Sequence, residues 1–326
     1  MTDCRITIAI VNWNHLLDLQ KCLASVSSQD YKSYDIVVID NASTDGSTDW
    51  IRLNYPWISL FQFEENRGFS AALNEGIRRS TTPFILSLNP DVILDSRCLS
   101  YMIGAIIKKP QVGIVSPKLL RYNDPRYLDS TGLFIDRRRC PYDRGQNEID
   151  HGQYDNSRQI FGACGALALY RREMLLDIAF NGEYFDEDFF AYYEDADIAW
   201  RAQLCGWRAV FEPRAQATHV RGWGDSLRKQ RIKSSIEPRL AFRNRYLMIE
   251  KNDRPLDFLF DLPFILASEI LRIFYAVLFM PSVLLGIYDF FAMYGRILPK
   301  RHHLWKKASI NNSNVRSWFI KAKRLS

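Results

Sequence analysis

Residues 84–94 read FILSLNPDVIL, and the fold of the chain is decided around them. Phe84 to Leu88 form an apolar run that predicts a buried strand, and the run breaks at Asn89-Pro90. Asp91 follows before the chain turns apolar again. Ligands of open α/β sheets bind just outside the carboxyl ends of the strands, so Asp91 lies where a ligand or its cation is expected. Asn-Pro-Asp is also a common turn, and taken alone the segment is explained by a turn.

Three further strand-like runs precede this one, at residues 6–11, 35–39 and 58–63. Apolar residues at helical spacing follow the first and third runs, and a loop rich in Ser, Asp and Gly, suited to a helix start, follows the second. The resulting order, with helices between four successive strands, predicts a parallel sheet.

Polar side chains stand at the carboxyl end of each predicted strand. The residues at these ends are Val11 and Asn12, Asp40, Asn66 with Arg67, and Asn89 with Asp91. One polar strand end is ordinary turn chemistry, but four sets at one edge of a sheet predict a nucleotide site. A dinucleotide oxidoreductase and a P-loop enzyme are disfavoured, because no GxGxxG follows the first strand and no GxxxxGK[ST] occurs.

Length and composition indicate a globular protein. The 326 residues suffice for one large domain with an appendage, or for two domains. A hydrophobic content of 47% and a charged content of 25% exclude a disordered or low-complexity chain. The net charge of +6 is uneven, because residues 300–326 hold eight Lys or Arg and no acidic residue.

The cysteines and the N-terminus indicate an intracellular protein. The six cysteines are scattered without metal-binding spacing, which suits reduced thiols in a cytoplasm. The first five residues lead directly into a strand and do not resemble a signal peptide, so we expect the protein to stay inside the cell.

The middle of the chain is richer in polar and aromatic residues. Residues 127–150 predict loops and short strands, with Arg137, Arg138, Arg139 and Arg144 available either to bind anionic groups or to form a solvated basic loop. Residues 160–170 are small and apolar, which allows close backbone approach.

Residues 185–207 contain the second informative stretch, FDEDFFAYYEDADIAWRAQLCGW. Glu194, Asp195 and Asp197 crowd the start of a predicted helix that stops at Gly206. An acidic helix cap, with Asp197 and Arg201 as an i,i+4 pair, explains the charges structurally. The flanking aromatic residues favour a sugar site, where an ionised carboxylate near a hydroxyl serves as general base.

These residues together resemble the family 2 glycosyltransferases, in particular their rhamnosyltransferase-like branch. The matching segments keep the family's order over roughly residues 5–250. They are residues 37–47 (VVIDNASTDGS), residues 65–69 (ENRGF) with Asn74 and Gly76, residues 88–91 (LNPD), residues 161–165 (FGACG) with residues 170–172 (YRR), residues 193–197 (YEDAD) with Arg201, and residues 217–222 (ATHVRG) with His219.

The resemblance implies a GT-A fold, an α/β architecture with a mixed, mostly parallel sheet flanked by helices, and transfer from a nucleotide sugar with inversion. It implies that Asn12, Asp40 and Arg67 hold the base and ribose, in a donor site to which Val11, Asn66 and Asn89 also belong. Asp91 resembles the residue that holds a divalent cation, Mg²⁺ or Mn²⁺, and His219 the further metal ligand. Asp195 resembles the base that takes the acceptor proton, with Glu194 beside it as the second catalytic candidate. Asn89 stands where the family often has Asp, which implies a weak cation site completed by water.

The C-terminal region indicates contact with a membrane. Residues 258–294 are strongly apolar, yet the uncharged run 273–288 is shorter than the roughly 20 residues of a spanning helix. We therefore expect helices that lie in the membrane interface, with a re-entrant pair and buried globular helices as alternatives. The basic tail then meets anionic lipid headgroups. This divides the chain into a transferase domain, residues 1–252, with a nucleotide-binding half (1–95) and an acceptor and catalytic half (96–252), and a membrane-associating region, residues 253–326.

The resulting hypothesis is a cytoplasmic glycosyltransferase, peripheral on the inner face of the cell membrane. It moves a sugar, rhamnose from dTDP-rhamnose, onto a lipid-linked or polysaccharide acceptor of a cell-surface polysaccharide such as lipopolysaccharide. The apolar residues 161–169 suit a sugar with a methyl group. No nucleic-acid partner is expected. The alternatives are an inactive glycan- or nucleic-acid-binding protein and a nucleotidyltransferase on a similar sheet.

Overall fold

The computed structural model describes residues 4–220, 236–308 and 313–321. The four predicted strands at the start of the chain are all present, with ends shifted by at most one residue. The strands of the described chain are β1 (Ile6–Asn12), β2 (Tyr34–Asp40), β3 (Ser59–Gln62), β4 (Phe84–Leu88), β5 (Val92–Leu94), β6 (Val112–Arg121), β7 (Leu128–Ser130), β8 (Leu133–Ile135), β9 (Pro141–Asp143), β10 (Gln159–Ile160), β11 (Leu167–Arg171) and β12 (Arg208–His219).

Helices connect the strands and continue beyond them. They are α1 (Leu16–Ser27), α2 (Ser47–Asn54), α3 (Gly68–Arg78), α4 (Cys98–Ile107), α5 (Arg172–Ile178), α6 (Glu194–Leu204), α7 (Ile236–Asn252), α8 (Pro255–Phe279), α9 (Leu285–Lys307) and α10 (Ser313–Lys321). Short 3-10 turns lie at Glu187–Phe189 and Pro281–Leu284.

The main sheet has the order β10-β12-β6-β11-β4-β1-β2-β3 within the described residues, with β5 and β7 added at β12 and β6. The first four strands are mutually parallel, as predicted. Asn12 lies beside Asp40, and Asp40 beside Gln62, so these strand ends share one edge. β11 enters antiparallel between β4 and β6, which makes the sheet mixed and brings Leu167 beside Leu88.

The core lies on both faces of this sheet. Ile8 and Ile10 of β1 belong to one buried cluster with residues of α1 and α4, whereas Ala9 and Val11 belong to a second with residues of α3 and α6. This alternation follows from the period of two along a strand. Each fully buried aliphatic side chain contributes about 1.5–3 kcal/mol, so the two clusters fix the strand register.

The arginines of the middle segment have partners within the protein. Arg139 is fully buried and pairs with Asp253 and Asp261 at 2.8 and 2.9 Å. Arg144 is also buried, and its guanidinium donates to Thr131 and Ser157. The solvated loop is therefore a wrong interpretation for both residues. Arg139 does bind anionic groups, which are carboxylates of the protein itself, whereas Arg144 donates to neutral oxygens.

Buried ion pairs attach the C-terminal helices to the sheet. Lys300 of α9 contacts Asp186 and lies 2.8 Å from Asp188, and Lys251 of α7 lies 2.9 Å from Asp197 of α6. Lys300 is only 8% exposed, so the expectation that the basic tail faces lipid is wrong for this residue. Lys306 and Lys307 are exposed, whereas Lys323 and Arg324 lie outside the described residues.

α8 is longer than the uncharged run suggested. It comprises 25 residues and is long and apolar enough to cross a membrane by length and composition, which is weak evidence on its own. Only 11% of its most apolar window is buried within the protein. The alternative of buried globular helices is therefore wrong for α8.

Candidate active site

The floor of the site is a hydrogen-bonded group at the ends of β1 and β2. The Asn12 side-chain amide donates to Asp40 at 3.0 Å and to Ser47 at 2.9 Å, and the Ser43 backbone N–H donates to Asp40 at 2.8 Å. Asn12 and Asp40 are both fully buried. Asp40 therefore orders the loop after β2, and its two carboxylate oxygens already accept hydrogen bonds. The Asn12 Oδ1 atom is buried and has no partner among the described residues.

A cavity of about 440 Å³ opens above this floor. It is lined by four of the predicted donor-site residues, Val11, Asn66, Asn89 and Asp91, together with Trp13, His15, Asn41, Gly68, Phe69, Pro90, Phe190, Ala191, Tyr192, Ile236, Glu237 and Leu240. Arg67 lies outside this lining, exposed, with its guanidinium 5.0 Å from the centre of the Phe63 ring. The strand-end residues are thus divided between a buried floor, a cavity wall and an exposed position.

Asn41 and Asn66 fix the wall at the start of α3. The Asn41 amide donates to Asn66 Oδ1 at 2.8 Å, and the same oxygen accepts the Gly68 N–H at 2.9 Å. Gly68 has φ of +83°, and a Cβ there would lie 2.6 Å from the Phe190 carbonyl oxygen. Only glycine permits this left-handed conformation and close approach together.

A row of three side chains leads away from the cavity wall, beginning at Asp91. His219 Nε2 lies 3.5 Å from Asp91 Oδ2, and His219 Nδ1 lies 2.8 Å from Asp129 Oδ2. Burial alone would lower the pKa of His219, but hydrogen bonds to Asp129 and Asp91 raise it to about 9. The imidazole is therefore positively charged, with a proton on each ring nitrogen, when no cation competes for Nε2.

Asp91 and His219 fit a divalent cation as an incomplete ligand set. Asp91 Oδ1 is buried without a hydrogen-bond partner in the described chain, and Asp129 orients His219 as a carboxylate does behind a metal-bound histidine. No group of three or more His, Cys, Asp or Glu positioned to hold a metal occurs among the described residues. The remaining ligands would have to come from water and from the substrate, as is usual for Mg²⁺.

The two predicted catalytic carboxylates begin α6. Asp195 is partly exposed and accepts hydrogen bonds from the N–H groups of Gly165, at 3.1 Å, and Ala196, at 2.7 Å. Burial, and then repulsion from Asp143, raise the pKa of Asp195. Burial and repulsion from Asp195 raise the pKa of Glu194 further. Asp195 is thus the member of the pair that ionises first and can accept a proton near neutral pH.

The FGACG segment connects these carboxylates to the end of β4. Gly165 donates to Asp195, and the neighbouring Ala166 carbonyl accepts the Asn89 N–H at 2.9 Å. A Cβ at Gly162 would lie 2.3 Å from the Ala199 Cβ, so a glycine is needed for α6 to approach. The segment therefore sets the position of α6 relative to the Asn-Pro-Asp turn.

The segment before α6 adopts an unusual backbone conformation. Phe190, Tyr192 and Tyr193 have φ of 64°, 71° and 71°, a left-handed region that non-glycine residues rarely occupy. The Asn244 side-chain amide donates to three carbonyls of this segment, each at 2.8 Å, and Arg243 donates to two. α7 therefore stabilises the strained loop that forms one wall of the cavity and leads into the catalytic helix.

Sequence reasoning missed Asp129 and Asn244. Asp129 lies in a three-residue strand, 90 residues from His219, and no spacing rule connects them. The signal at Asn244 was the run RNR, three polar residues that are buried in α7. The predicted helix cap was right in one detail, since Asp197 and Arg201 form the i,i+4 pair at 2.8 Å.

The expectation of a methyl-binding pocket at residues 161–169 is wrong. Phe161 and Leu167 to Leu169 are fully buried in the two core clusters, and none of these residues lines the cavity. Their apolar character serves the packing of β11 and α6.

Comparison with known proteins gives a consistent result. The sequence model described as Glycosyl transferase family 2 matches residues 7–178. The poly-beta-1,6-N-acetyl-D-glucosamine synthase of Staphylococcus epidermidis is 26% identical over 217 residues, which are 64% of this chain and 48% of that protein. The Staphylococcus aureus synthase of the same name is 25% identical over the same shares. The chain thus spans about half the length of the curated relatives it matches.

Solved structures show the same fold. GalNAc-T7 with UDP, GalNAc and Mn²⁺ superposes with a TM-score of 0.59 and 16% identity, over 76% of this chain and 48% of that one. The mannosyltransferase PcManGT from Pyrobaculum calidifontis, in complex with GDP-Man and Mn²⁺, superposes with a TM-score of 0.53 and 21% identity, over 98% of this chain and 84% of that one. TarS of S. aureus superposes with a TM-score of 0.58 and 16% identity, over 97% of this chain and 55% of that one. The architecture is therefore GT-A, and because the family model matches more than half of its residues, the chain belongs to glycosyl transferase family 2.

Proposed function

We propose that this protein transfers a sugar from a nucleotide sugar, with inversion, onto a lipid-linked or polysaccharide acceptor of a cell-surface polysaccharide. Family membership supports the glycosyl transfer, and the names of the curated relatives support the polysaccharide product. The observation that carries the proposal is a pair of carboxylates, Asp91 in the cavity wall and Asp195 at the start of α6. Asp91 presents an unpartnered buried oxygen, and Asp195 is a carboxylate that ionises at mildly acidic pH.

Individual residues can be assigned to the steps of the transfer. The acceptor hydroxyl oxygen forms a bond to the anomeric carbon while the bond from that carbon to the diphosphate breaks. Asp195 takes the hydroxyl proton, and the nucleoside diphosphate leaves. Glu194, whose pKa is raised, stays protonated beside it. Asp91 and His219 hold the divalent cation, Mg²⁺ or Mn²⁺, which when bound neutralises the departing diphosphate as a Lewis acid.

For the donor we propose that Val11, Asn66 and Asn89 contact the nucleotide sugar in the cavity, with Arg67 holding its base and ribose. Asn12 and Asp40, which are buried beneath the cavity, contribute to donor binding by ordering the loop after β2. dTDP-rhamnose is the proposed donor on the family-branch resemblance. A UDP-N-acetylhexosamine is the second candidate, since the curated relatives are named for N-acetylglucosamine polymers.

A donor panel tests the function. Thermal shift and product release are measured with dTDP-rhamnose, UDP-N-acetylglucosamine, UDP-glucose and GDP-mannose, each with Mn²⁺, Mg²⁺ or EDTA. We expect one pyrimidine nucleotide sugar to stabilise the protein in the presence of a cation and to release its diphosphate. Clear preference for GDP-mannose would overturn the donor assignment. Stabilisation by a nucleoside triphosphate with release of inorganic diphosphate would instead establish a nucleotidyltransferase.

We also propose that residues 253–326 bind the inner face of the cell membrane and that residues 1–252 form the transferase domain. Large exposed apolar side chains along α8 and α9, such as Phe274, Leu278 and Phe291, support a membrane surface. Lys306 and Lys307, in the last turn of α9, supply exposed positive charge.

A further inference from the structure

A second and larger cavity lies apart from the donor cavity, between α7, α8 and the 3-10 turn at Pro281–Leu284. Its volume is about 790 Å³, within the range of ligand-binding sites. Most of its wall is apolar, formed by residues that include Phe242, Phe264, Leu271, Tyr275 and Val283. We call this cavity the α7–α8 groove.

Two faces of α8 have different roles. Ala267, Leu271 and Tyr275 follow one another at intervals of four residues and line the groove. Ile270, Phe274 and Leu278 follow the same interval and do not line it. Residues of both rows are exposed, with Leu271 at 69% and Phe274 at 64%. Since residues four apart share a helix face, the groove lies beside the row of Ile270, Phe274 and Leu278, which we call the outward face of α8.

The groove also contains two arginines, Arg138 and Arg272. Arg138 pairs with Asp136 at the protein surface. Arg272 donates to the Cys140 sulfur at 3.8 Å and lies 5.6 Å from the centre of the Phe242 ring. Within the described residues no carboxylate forms an ion pair with Arg272. The Glu269 carboxylate attracts Arg272 from a longer distance, but it is hydrogen-bonded by Arg245 and Tyr246. An arginine without a carboxylate in direct contact, in an apolar groove, favours a ligand with a negative group.

Arg272 also connects the groove to the catalytic helix. Its side chain interacts with that of Tyr193, the residue immediately before Glu194 and Asp195. Tyr193 belongs to the strained loop that forms a wall of the donor cavity. A ligand whose negative group reaches Arg272 therefore meets the side chain that interacts with the residue directly preceding α6.

We propose that the α7–α8 groove binds the lipid phosphate of a lipid-linked sugar, whose hydroxyl is the acceptor, with the hydrocarbon chain along Leu271 and Tyr275 and the phosphate on Arg272. This deepens the proposed function and rests on it, since the bound phosphate directs the acceptor hydroxyl toward Asp195. The apolar wall accounts for binding of the hydrocarbon chain. The Arg272 guanidinium, which has no ion pair with a carboxylate, accounts for binding of the phosphate. The interaction of Arg272 with Tyr193 accounts for the orientation of the acceptor toward α6.

The test uses the full chain in neutral phosphatidylcholine vesicles. Photo-crosslinking with a diazirine derivative of hexadecyl phosphate is mapped by mass spectrometry and compared with the same derivative of hexadecanol. We expect labels on Leu271 and Tyr275, and about tenfold or more labelling by the phosphate over the alcohol, because a charged hydrogen bond contributes about 1.5–3 kcal/mol. Arg272→Gln is expected to remove this difference, and Ala267→Trp to block labelling by both probes.

Leu278→Trp is the matched control, since it adds the same ring on the outward face of α8, and it should leave labelling unchanged. Equal labelling by phosphate and alcohol, labels confined to the outward face, or equal competition by phosphatidylglycerol would each overturn the proposal. Nucleotide-sugar binding is measured in the same samples. Expected labelling without donor binding would refute the transferase function, whereas donor binding with labels only on the outward face would refute the groove alone.

Discussion

The carboxylate of Asp195 is held in one orientation by the N–H groups of Gly165 and Ala196. Asp195→Asn keeps the size of this side chain but removes its ability to take a proton. We expect sugar transfer to fall by about 10² or more while nucleotide-sugar binding is retained. Single-turnover transfer and donor titration measure the two effects separately.

Glu194→Gln is the matched control for this variant. Burial and the charge of Asp195 keep Glu194 protonated near neutral pH, so a neutral amide should replace it with little loss of transfer. If Glu194→Gln loses transfer and Asp195→Asn does not, Glu194 is the base.

The raised pKa of Asp195 predicts the acid limb of the pH–rate profile. A base must be ionised to act, so the rate should rise as pH increases through about 6 and level off above it. Asp143 raises this pKa by repulsion, so Asp143→Asn should move the limb to lower pH. The measurement is kcat/KM between pH 5 and pH 8, within the stable range of each variant. A limb that stays in place in Asp143→Asn would contradict the assignment of Asp195 to it.

Asp129 acts on the proposed cation through His219. Asp129→Asn weakens the orientation of the imidazole, and we expect the concentration of Mn²⁺ for half-maximal activity to rise about 10–100-fold. Asp91→Ala and His219→Ala should raise the same concentration, and their combination should be non-additive because the side chains act as a unit. Activity that persists in EDTA would refute a cation at this position.

The family resemblance implied that Asp91 and His219 share a cation, and their side chains are 3.5 Å apart. Reasoning from strand ends placed Asp91 at the edge of the sheet. It did not separate Asp40, which is buried under the site, from Asn66, which lines it, because strand position does not report burial. Asp129 and Asn244 act across long separations that no local pattern encodes.

At the scale of elements, the approach of the FGACG segment to α6 depends on Gly162. A Cβ there would lie 2.3 Å from Ala199, so Gly162→Ala must displace α6 and with it Asp195. We expect a loss of about 1–3 kcal/mol in the free energy of unfolding and a loss of transfer. Urea unfolding and activity assays provide the measurements.

Gly104→Ala is the control for this substitution. Gly104 lies within α4 and has no atom within 4 Å of an added Cβ, so the change should stabilise the protein by about 0.5–1 kcal/mol. Equal stability of Gly162→Ala and the unaltered protein would show that α6 is not fixed by this contact.

Elements were predicted well where hydrophobic periodicity decided them. The first four strands and their parallel order followed from buried runs separated by helices. The antiparallel insertion of β11 was not predicted, since a run of buried residues does not report strand direction. The length of α8 was underestimated because Asp261, Glu269 and Arg272 interrupt its apolar sequence, although Asp261 and Glu269 form ion pairs and Arg272 reaches Tyr193 and Cys140.

For the whole molecule, the exposed apolar surface of α8 and α9 predicts binding to membranes. We expect the protein to sediment with vesicles containing anionic lipid and to be released by salt, since each nearby Lys or Arg contributes about 1 kcal/mol. Replacing Phe274 and Leu278 by Ser should weaken sedimentation. Leu53→Ser, at an exposed position of α2, should not. Equal sedimentation with neutral and anionic vesicles would contradict a role for the basic residues.

The contact between Asp186 and Lys300 joins residues that are 114 positions apart in the chain. At synthesis rates of about 5–20 residues per second, Asp186 waits roughly 6–23 s for this partner after it has been made. The apolar helix α8 and most of α9 are synthesised within that interval. The buried Asp186 beside the catalytic helix therefore obtains Lys300 as its partner only after the exposed apolar surface of α8 has been made.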